Sequence, residues 1–572
     1  MDIYAKCLIN YTVMLSEEIK NLVQKAASVT EIPLEQPSDK SHGEYSTSIA
    51  LKLAKQQNIS PREFATELVS KIDKSDLIER IEIAGPGFIN FHLSKKALKK
   101  QIERSGEQGE KFGNGSHLKG KKIMVEFAHP NTHKAFHIGH LRTLNLGESL
   151  ARILTAQGAT VFRANYQGDV GLHVAKCLWG YMHEEEPRDL KTPQAKTEFL
   201  GKVYAKGAQT FEKDETAKKE IYEINKKIYA QDPEIMPLWE KTRQWSLDYF
   251  EYTYDRFGTF FDRLFFESEV YDLGRNLVLE HLDKGVFEES EGAVIFPGEK
   301  HGLHNRVFIT GEGNPTYEAK EMGLAKLEQE AFPFDLNIHV VGNEQAEYFR
   351  VVIEAMNAIY PGLKDRQRHL AYGMVNLASG KMSSRTGEVI TAEFLIEEVK
   401  KELAKVMKES DMTDEEKTEV MEKVAIGGIK FIMLFGHAKN DIAFDMEKAV
   451  RLDGDSGPYL QYAYARISSI LSKVESSAEP NFDMLTESDW DLARKLNGFE
   501  YAVTKAAEEL SPHYIAHYLL ELASEFSGWY GVSSVKNADT GLMEARIELL
   551  KSVRQVIRNG LYLMGIEVLQ KM

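Results

Sequence analysis

The sequence predicts an α/β protein: a Rossmann-type parallel sheet in the middle, a small α+β segment before it and an all-α segment after it. Three observations predict this. A strand, polar loop, helix and strand follow one another from Lys121; short apolar strand patterns recur up to Val375; from about 393 onward the apolar spacing is helical. With 572 residues the chain exceeds one ordinary core. The expected segments are 1–115, 116–392, a helical stem over 393–446, and 447–572.

In 1–115, Val13, Ile19, Leu22, Val23 and Ala26 have helical spacing, and Ile81/Ile83 and Ile89/Phe91 alternate as strands around Gly85-Pro86-Gly87. Gly106 to Gly120 holds five glycines among polar residues and reads as a linker. Ile123, Val125 and Phe127 then alternate as a strand, a polar loop runs through Pro130-Asn131, and Leu141, Leu144, Ala151 and Leu154 mark one helix face. Thr160 to Tyr166, Arg306 to Thr310, Asn337 to Val341 and His369 to Val375 are further strands. The charged stretch 172–260 carries no strand pattern and reads as a helical insertion. At the end, Leu549, Leu550, Val553, Val556, Ile557 and Leu561 form an apolar stripe stopped near Gly565.

Composition excludes several classes. The chain is 43% hydrophobic and 28% charged, with no run of about 18 apolar residues, so no membrane span is expected. No basic-then-apolar leader pattern opens it, and the cytoplasm is the expected compartment. The two cysteines, Cys7 and Cys177, can form neither a disulfide framework nor a Cys-x-x-Cys zinc knuckle. A net charge of −16 argues against a protein that coats nucleic acid nonspecifically. It leaves a nucleic-acid substrate open, since binding depends on local basic surface.

Two motifs carry chemistry. His137-Ile138-Gly139-His140 stands between a strand and a helix, where backbone N–H groups and the helix dipole favour an anion. Gly139 lets a nucleotide approach the backbone, and the histidines can donate to phosphoryl oxygens. Two capping histidines on a surface loop are the plain alternative. The second motif, Lys381-Met382-Ser383-Ser384-Arg385, is a basic, hydroxyl-rich loop bracketed by Gly380 and Gly387. It can close over a triphosphate, with Lys381 as a point charge on the leaving pyrophosphate. By itself such a loop is usually only solvated.

Paired loops of this kind, in this order, resemble class I aminoacyl-tRNA synthetases, and nearly the whole chain resembles the arginyl-tRNA synthetases. The likeness is carried by Val125 to Asn131 running through Lys134 into the histidine motif, by Asn165 to Gly171, by Asp455 to Arg466 and by Val553 to Leu561. It implies ATP-dependent activation of L-arginine and transfer to tRNA. ATP enters as substrate with Mg²⁺ bound through its phosphates; no zinc is implied, and the expected state is a monomer. Residues 1–115 resemble the domain that contacts the tRNA elbow, and 447–572 the helical anticodon-binding domain.

The resemblance also assigns residues. Glu126 and Glu321 would hold the guanidinium, whose planar fork of donors needs fixed anionic acceptors. Tyr317 precedes Glu321 by one helical turn and would share its face, and Asn131 and Gln345 would hold the α-amino and carboxylate groups. Where this chain has Glu321 the family has aspartate; the added methylene reaches roughly 1.5 Å further, and Glu318 is an alternative. Ser384 stands where class I enzymes have a second lysine, so Lys134, with Arg385 as rival, would take over. Tyr459, Gln461, Tyr462 and Tyr464 have side chains suited to stacking on and reading unpaired bases, or to packing helices. Cysteinyl, methionyl or glutamyl synthetases, a tRNA-binding relative without catalysis and a small-molecule nucleotidyltransferase are the competing readings.

Overall fold

Apolar alternation at 123–127 and the run 160–166 predict two strands, and they form as a parallel pair over 122–126 and 160–167. The computed structural model describes residues 15–37, 39–378, 390–406, 412–474 and 478–572. The chain divides into two units, one built from 1–115 with 451–572, the other from 116–450.

In the 116–450 unit, β1 (Lys122–Glu126) leads into α1 (Ile138–Ala156) and β2 (Thr160–Gln167). Four helices follow, α2 (Leu172–Met182), α3 (Pro193–Lys213), α4 (Glu215–Tyr229) and α5 (Met236–Arg256), which are the predicted insertion. They bury apolar residues of their own, among them Val174, Leu178, Ile221 and Trp239. Next come β3 (Arg263–Phe266), α6 (Glu267–Leu282), β4 (Glu288–Ser290), β5 (Ala293–Phe296) and β6 (Arg306–Ile309). The unit continues with α7 (Tyr317–Ala331), β7 (Leu336–Gly342), α8 (Ala346–Ile359), β8 (Gln367–Tyr372) and β9 (Val375–Leu377), then α9 (Ala392–Val406), α10 (Asp414–Phe435) and β10 (Ile442–Phe444).

The main sheet has strand order β8-β7-β1-β2-β3 with every pair parallel. Leu141, Leu144, Ala151 and Leu154 are all buried on α1, as their spacing predicts. Gly147 is what lets this helix lie so close: a Cβ there would stand 2.2 Å from the ring of Phe127. Three expectations change. Arg306–Ile309 is a strand, but it joins β5 and β4 in a separate antiparallel sheet. The edge strand β3 was not predicted; only Phe265 of its four residues is fully buried, so no alternation marks it. The helical reading after 393 is interrupted by β10, which pairs parallel with β9.

In the other unit, strands Leu34–Glu35, Tyr45–Thr47, Phe88–Leu93 and Ile78–Ala84 lie side by side in that order, antiparallel. The last two form the predicted hairpin. The predicted linker is partly helix: Lys95–Gln108 runs through Gly106 and stops at Gly109, whose φ is +53°. That helix packs on two of the C-terminal helices, Glu487–Leu496 and Thr540–Leu563; the others there are Gly457–Leu471, Gly498–Glu508 and His513–Val532. Arg104 pairs with Glu500 with both side chains buried, Tyr45 donates to Asn497 at 3.0 Å, and Asn559 donates to the carbonyls of Gly109 and Phe112 at 2.9 Å each. Among the described residues no helix is long and apolar enough to cross a membrane.

One polar knot fixes the helical part. The fully buried Asp489 accepts from Trp529 Nε1 at 2.8 Å, from Arg546 Nε at 2.9 Å and Nη2 at 3.1 Å, and from Thr486 N at 2.8 Å. Removing the acid leaves a buried guanidinium without its counter-charge. Asp489→Ala is expected to cost about 3–5 kcal/mol, read as a lowered urea midpoint; an unchanged midpoint would show that the knot contributes nothing net.

Candidate functional site

In a parallel sheet of this order the chain leaves β1 toward β2 and returns on the other side as β7, so the loops part between the carboxyl ends of β1 and β7. That gap is where such sheets bind ligands. Glu126 is the last residue of β1, 3% exposed, and lies opposite His339 of β7 in the parallel register. His339 Nδ1 is 2.8 Å from its Oε2, and His129 Nδ1 is 3.4 Å from its Oε1. Burial opposes ionisation of Glu126, but the facing His339 outweighs it and holds the carboxyl well below its usual range.

The loop after β1 is strained. Ala128, His129 and His133 have φ of +77°, +49° and +63°, each costing about 1–3 kcal/mol for a residue with a Cβ. The surroundings hold it in place. Phe127 is buried against α1, and Thr132 N donates to Gly168 O at 2.9 Å. His133 is fully buried, its N–H on Ser246 Oγ at 2.8 Å and its ring nitrogens at 2.9 Å from Thr132 Oγ1 and 2.8 Å from Thr242 Oγ1. Asn131 lies in the space that a side chain at 168 would fill: a Cβ on Gly168 would stand 2.2 Å from Asn131 Oδ1.

The loop delivers the chain to α1 with a histidine as N-cap. His137 Nδ1 accepts from Gly139 N at 3.1 Å and His140 N at 3.3 Å, while His140 Nδ1 accepts from His137 N at 3.2 Å. The rings stack 3.6 Å apart. Two corrections follow. The amides expected to face an anion are already taken, since Ile138 N donates to Ile390 O at 2.9 Å. Gly139 is required by the ring folded over it, because a Cβ there would meet His137 Cε1 at 3.0 Å. What the cap leaves outward is Nε2 of each ring. With Nδ1 accepting, the proton of a neutral imidazole sits on Nε2, so both are donors. Burial, then the charge of Lys134, pushes His137 down to about 4; burial, then His137, keeps His140 well below the usual imidazole range. Both rings are therefore neutral at pH 7.

Glu321 is buried one turn inside α7, and Tyr348 Oη lies 3.5 Å from its Oε1. Burial, then the charge of Glu126, pushes its carboxyl up to about 8. Glu318 is not available as the alternative, being paired with Arg306 at 2.7 Å. Tyr317 is 64% exposed at the start of α7. With Asn131, Lys134, His173, Glu267 and Lys320 it lines a cavity of about 480 Å³. Gln345 is exposed on the turn after β7, at the same end of the sheet.

Lys381, Met382, Ser383, Ser384 and Arg385 lie outside the described residues. The chain on either side of them is fixed: Ala378 N donates to Phe444 O at 2.9 Å, and Ala392 N to Phe136 O at 2.8 Å. The downstream flank is thus bonded to the residue before His137. In the C-terminal helices, Gln461 is buried with its amide on Glu567 O at 2.8 Å, and Tyr464 is 4% exposed beside Gln570. These two pack the helix against the chain end and present nothing to a base, a correction to the sequence reading. Tyr459 and Tyr462 are half-buried.

Sequence reasoning passed over His133 and His339 and gave Asp169 no role. Asp169 is buried; its Oδ1 accepts from Ser268 N at 2.9 Å, and its Oδ2 from Ser268 Oγ at 2.7 Å and Arg243 Nε at 2.9 Å, tying the turn after β2 to α5 and α6. A polar residue inside an apolar strand, as at 339, was the available signal.

Comparison with known proteins agrees with this geometry. A family model described as tRNA synthetases class I (R), catalytic domain, matches residues 104–446. The DALR anticodon binding domain matches 460–572 and the arginyl tRNA synthetase N terminal domain 10–93. An arginine–tRNA ligase of Clostridium perfringens is 33% identical over 98% of this chain and 100% of its own. One from Treponema denticola is 32% identical over 95% of each. The structure of Thermus thermophilus arginyl-tRNA synthetase superposes with a TM-score of 0.84 at 25% identity, over 98% of this chain and 100% of that one. A Plasmodium falciparum arginyl-tRNA synthetase shares the fold, with a TM-score of 0.77 at 19% identity over 98% and 99% of the two chains. The chain belongs to the arginyl-tRNA synthetase family.

Proposed function

We propose that the crevice between β1 and β7 activates L-arginine with ATP and passes it to the terminal adenosine of an arginine tRNA. What carries the reading is the pair of buried carboxylates, Glu126 and Glu321, in the sheet's ligand-binding gap of a chain from this family. A guanidinium is the side chain whose permanent charge and five donors repay burying two acids. A neutral side chain would supply no counter-charge, so Glu321 would stay protonated and Glu126 would keep only its histidine partners.

The chemistry needs no protein nucleophile. An oxygen of the arginine carboxylate bonds to the α-phosphorus, the bond from that phosphorus to the bridging oxygen breaks, and pyrophosphate leaves with the electron pair. The tRNA 2′-oxygen then bonds to the carbonyl carbon of the adenylate, the bond from that carbon to the phosphate oxygen breaks, and AMP departs with the electron pair as the hydroxyl proton is released. His137 and His140 donate through Nε2 to phosphoryl oxygens as charge builds in the transition state. Lys134, whose charge is felt by both rings, and Lys381 offset the β- and γ-phosphates. Ile138, Gly139, Met382, Ser383 and Ser384 border the nucleotide, which brings Mg²⁺ on its own phosphates. Asn131 and Gln345 hold the amino-acid head group and Tyr317 borders it. The helices from Gly457 onward receive the anticodon, with Tyr459 and Tyr462 the half-buried rings among the four first named there. The enzyme works as a monomer in the cytoplasm.

Charging of total tRNA with each labelled amino acid tests the reading. Arginine alone should be loaded, only with ATP present; loading of any other amino acid instead overturns it. His140→Ala is expected to lower kcat for ATP–pyrophosphate exchange by about 10²–10³-fold, the effect of losing one such donor; full activity would remove its role.

A pH dependence follows from Glu321. Its carboxyl is protonated in the empty pocket below about 8, whereas the guanidinium binds the carboxylate. Arginine affinity should therefore rise with pH, by up to about tenfold per unit below that value, and level off above it. Glu321→Gln should bind weakly with a flat profile between pH 6 and 8. A sloping profile in that variant would assign the titration to another group.

A further inference from the structure

One fully buried charged group at the crevice has no part in the chemistry above. His339 stands on β7 with Glu126 beside it on β1 and His369 beside it on β8. Its Nδ1 is 2.8 Å from Glu126 Oε2 and its Nε2 is 2.8 Å from Gln367 Oε1. Gln367 lies diagonally across, its own register partner being Asn337, and Phe349 of α8 covers the ring at 5.4 Å. Both nitrogens thus face oxygens from the neighbouring strands, and the ring cannot turn without losing two hydrogen bonds.

We propose that His339 is a positioning and selectivity-determining residue: held by Gln367, it fixes the Glu126 carboxylate for the guanidinium and lends the positive charge that lets the acids share one dry pocket. The inference rests on the reading of the crevice as an arginine site.

Charge arithmetic supports it. Glu126, Glu321 and Glu328 are buried together and act on one another electrostatically, and three like charges in a dry site cannot all persist. Glu328 takes the neutral form through burial and the charge of Glu126, and accepts from Asn337 Nδ2 at 2.8 Å. Of the other titratable groups facing His339, His129 and His369 are both biased toward neutrality by their own burial. Burial alone would strip the proton from His339 as well, but the facing Glu126 restores it. His339 is therefore the cation that faces Glu126. It pairs with Oε2 of Glu126 while Oε1 lies 3.4 Å from His129 Nδ1, and a carboxylate fixed before the substrate arrives costs no reorganisation when it binds.

The test uses the full-length protein with tRNA present, in ATP–pyrophosphate exchange. His339→Gln keeps much of the volume and one donor but loses the charge. It should raise KM for arginine at least tenfold, leave KM for ATP within twofold, and reduce the preference in kcat/KM for arginine over citrulline, its neutral analogue, by a similar factor. Gln367→Ala frees the far end of the ring and should raise KM for arginine three- to tenfold, again sparing ATP. A folded His339→Gln protein with unchanged KM for arginine, or with KM for ATP raised equally, overturns the proposal. Should that variant fail to fold, Gln367→Ala decides by the same criteria. A wild-type protein that does not activate arginine sinks the reading of the crevice itself; one that does, with both variants unaffected, sinks only the role of His339.

Discussion

A carboxylate at the end of an interior strand, out of reach of water, is the constraint around which the 116–450 unit is arranged. Glu126 occupies the switch point of the sheet, where β2 and β7 leave β1 on opposite sides. An isolated charge there would cost many kcal/mol and would take up a proton instead. It is kept ionised by His339, directly across the ladder. The following residue must dive beneath α1, as Phe127 does, and the chain then passes through two successive left-handed residues before Pro130. Such backbone persists because the surroundings over-determine it. The buried His133, Thr132 on Gly168 and the packing of Phe127 on Gly147 each hold one point of the loop.

The same economy explains the histidine motif. A helix N-terminus offers free amides, yet here the first ones are spent on Ile390 O and His137 Nδ1. What remains is a pair of neutral rings whose protons are forced onto Nε2. Neutral donors suit a displacement at phosphorus, since they strengthen as charge develops without clamping the ground state. The bond from Ile138 N to Ile390 O also ties the histidine motif to the chain just beyond Lys381-Met382-Ser383-Ser384-Arg385.

Much of the scaffold was legible because its signals are local. Alternation at 123–127 and 160–166, the stripe on α1 and the turn at Gly85-Pro86-Gly87 each arise from neighbours in sequence. Strand β3 was not, because an edge strand with one buried residue leaves no period to detect. Arg306–Ile309 read correctly as a strand but joined another sheet, since alternation does not encode partners. At the site, the histidine motif stood out through its own residues and the Glu126 segment through resemblance. The relay from Gln367 through His339 to Glu126 did not, because it joins three strands spread over 241 residues of sequence. Gln461 and Tyr464 show the converse error: polar and aromatic side chains suited to bases were needed for packing.

The length of the Glu321 side chain fits this network. Aspartate would end nearer the backbone of α7; glutamate carries its carboxyl further, to Tyr348 and into the field of Glu126 and His339. Its second oxygen, Oε2, is buried without a hydrogen-bond partner among the described residues, as is the hydroxyl of Tyr166. Orphaned buried acceptors are rare because each forfeits its hydration. An unpartnered oxygen costs less on a neutral acid than on a carboxylate, and the neutral acid is the form that burial and Glu126 favour. On the proposed reading, Glu321 is uncharged in the empty pocket and ionises only against a cation. With Glu126 permanently ionised and Glu321 conditionally so, charge complementarity is completed by the ligand. A neutral competitor of the same length would find one acid protonated and the other already committed to His339.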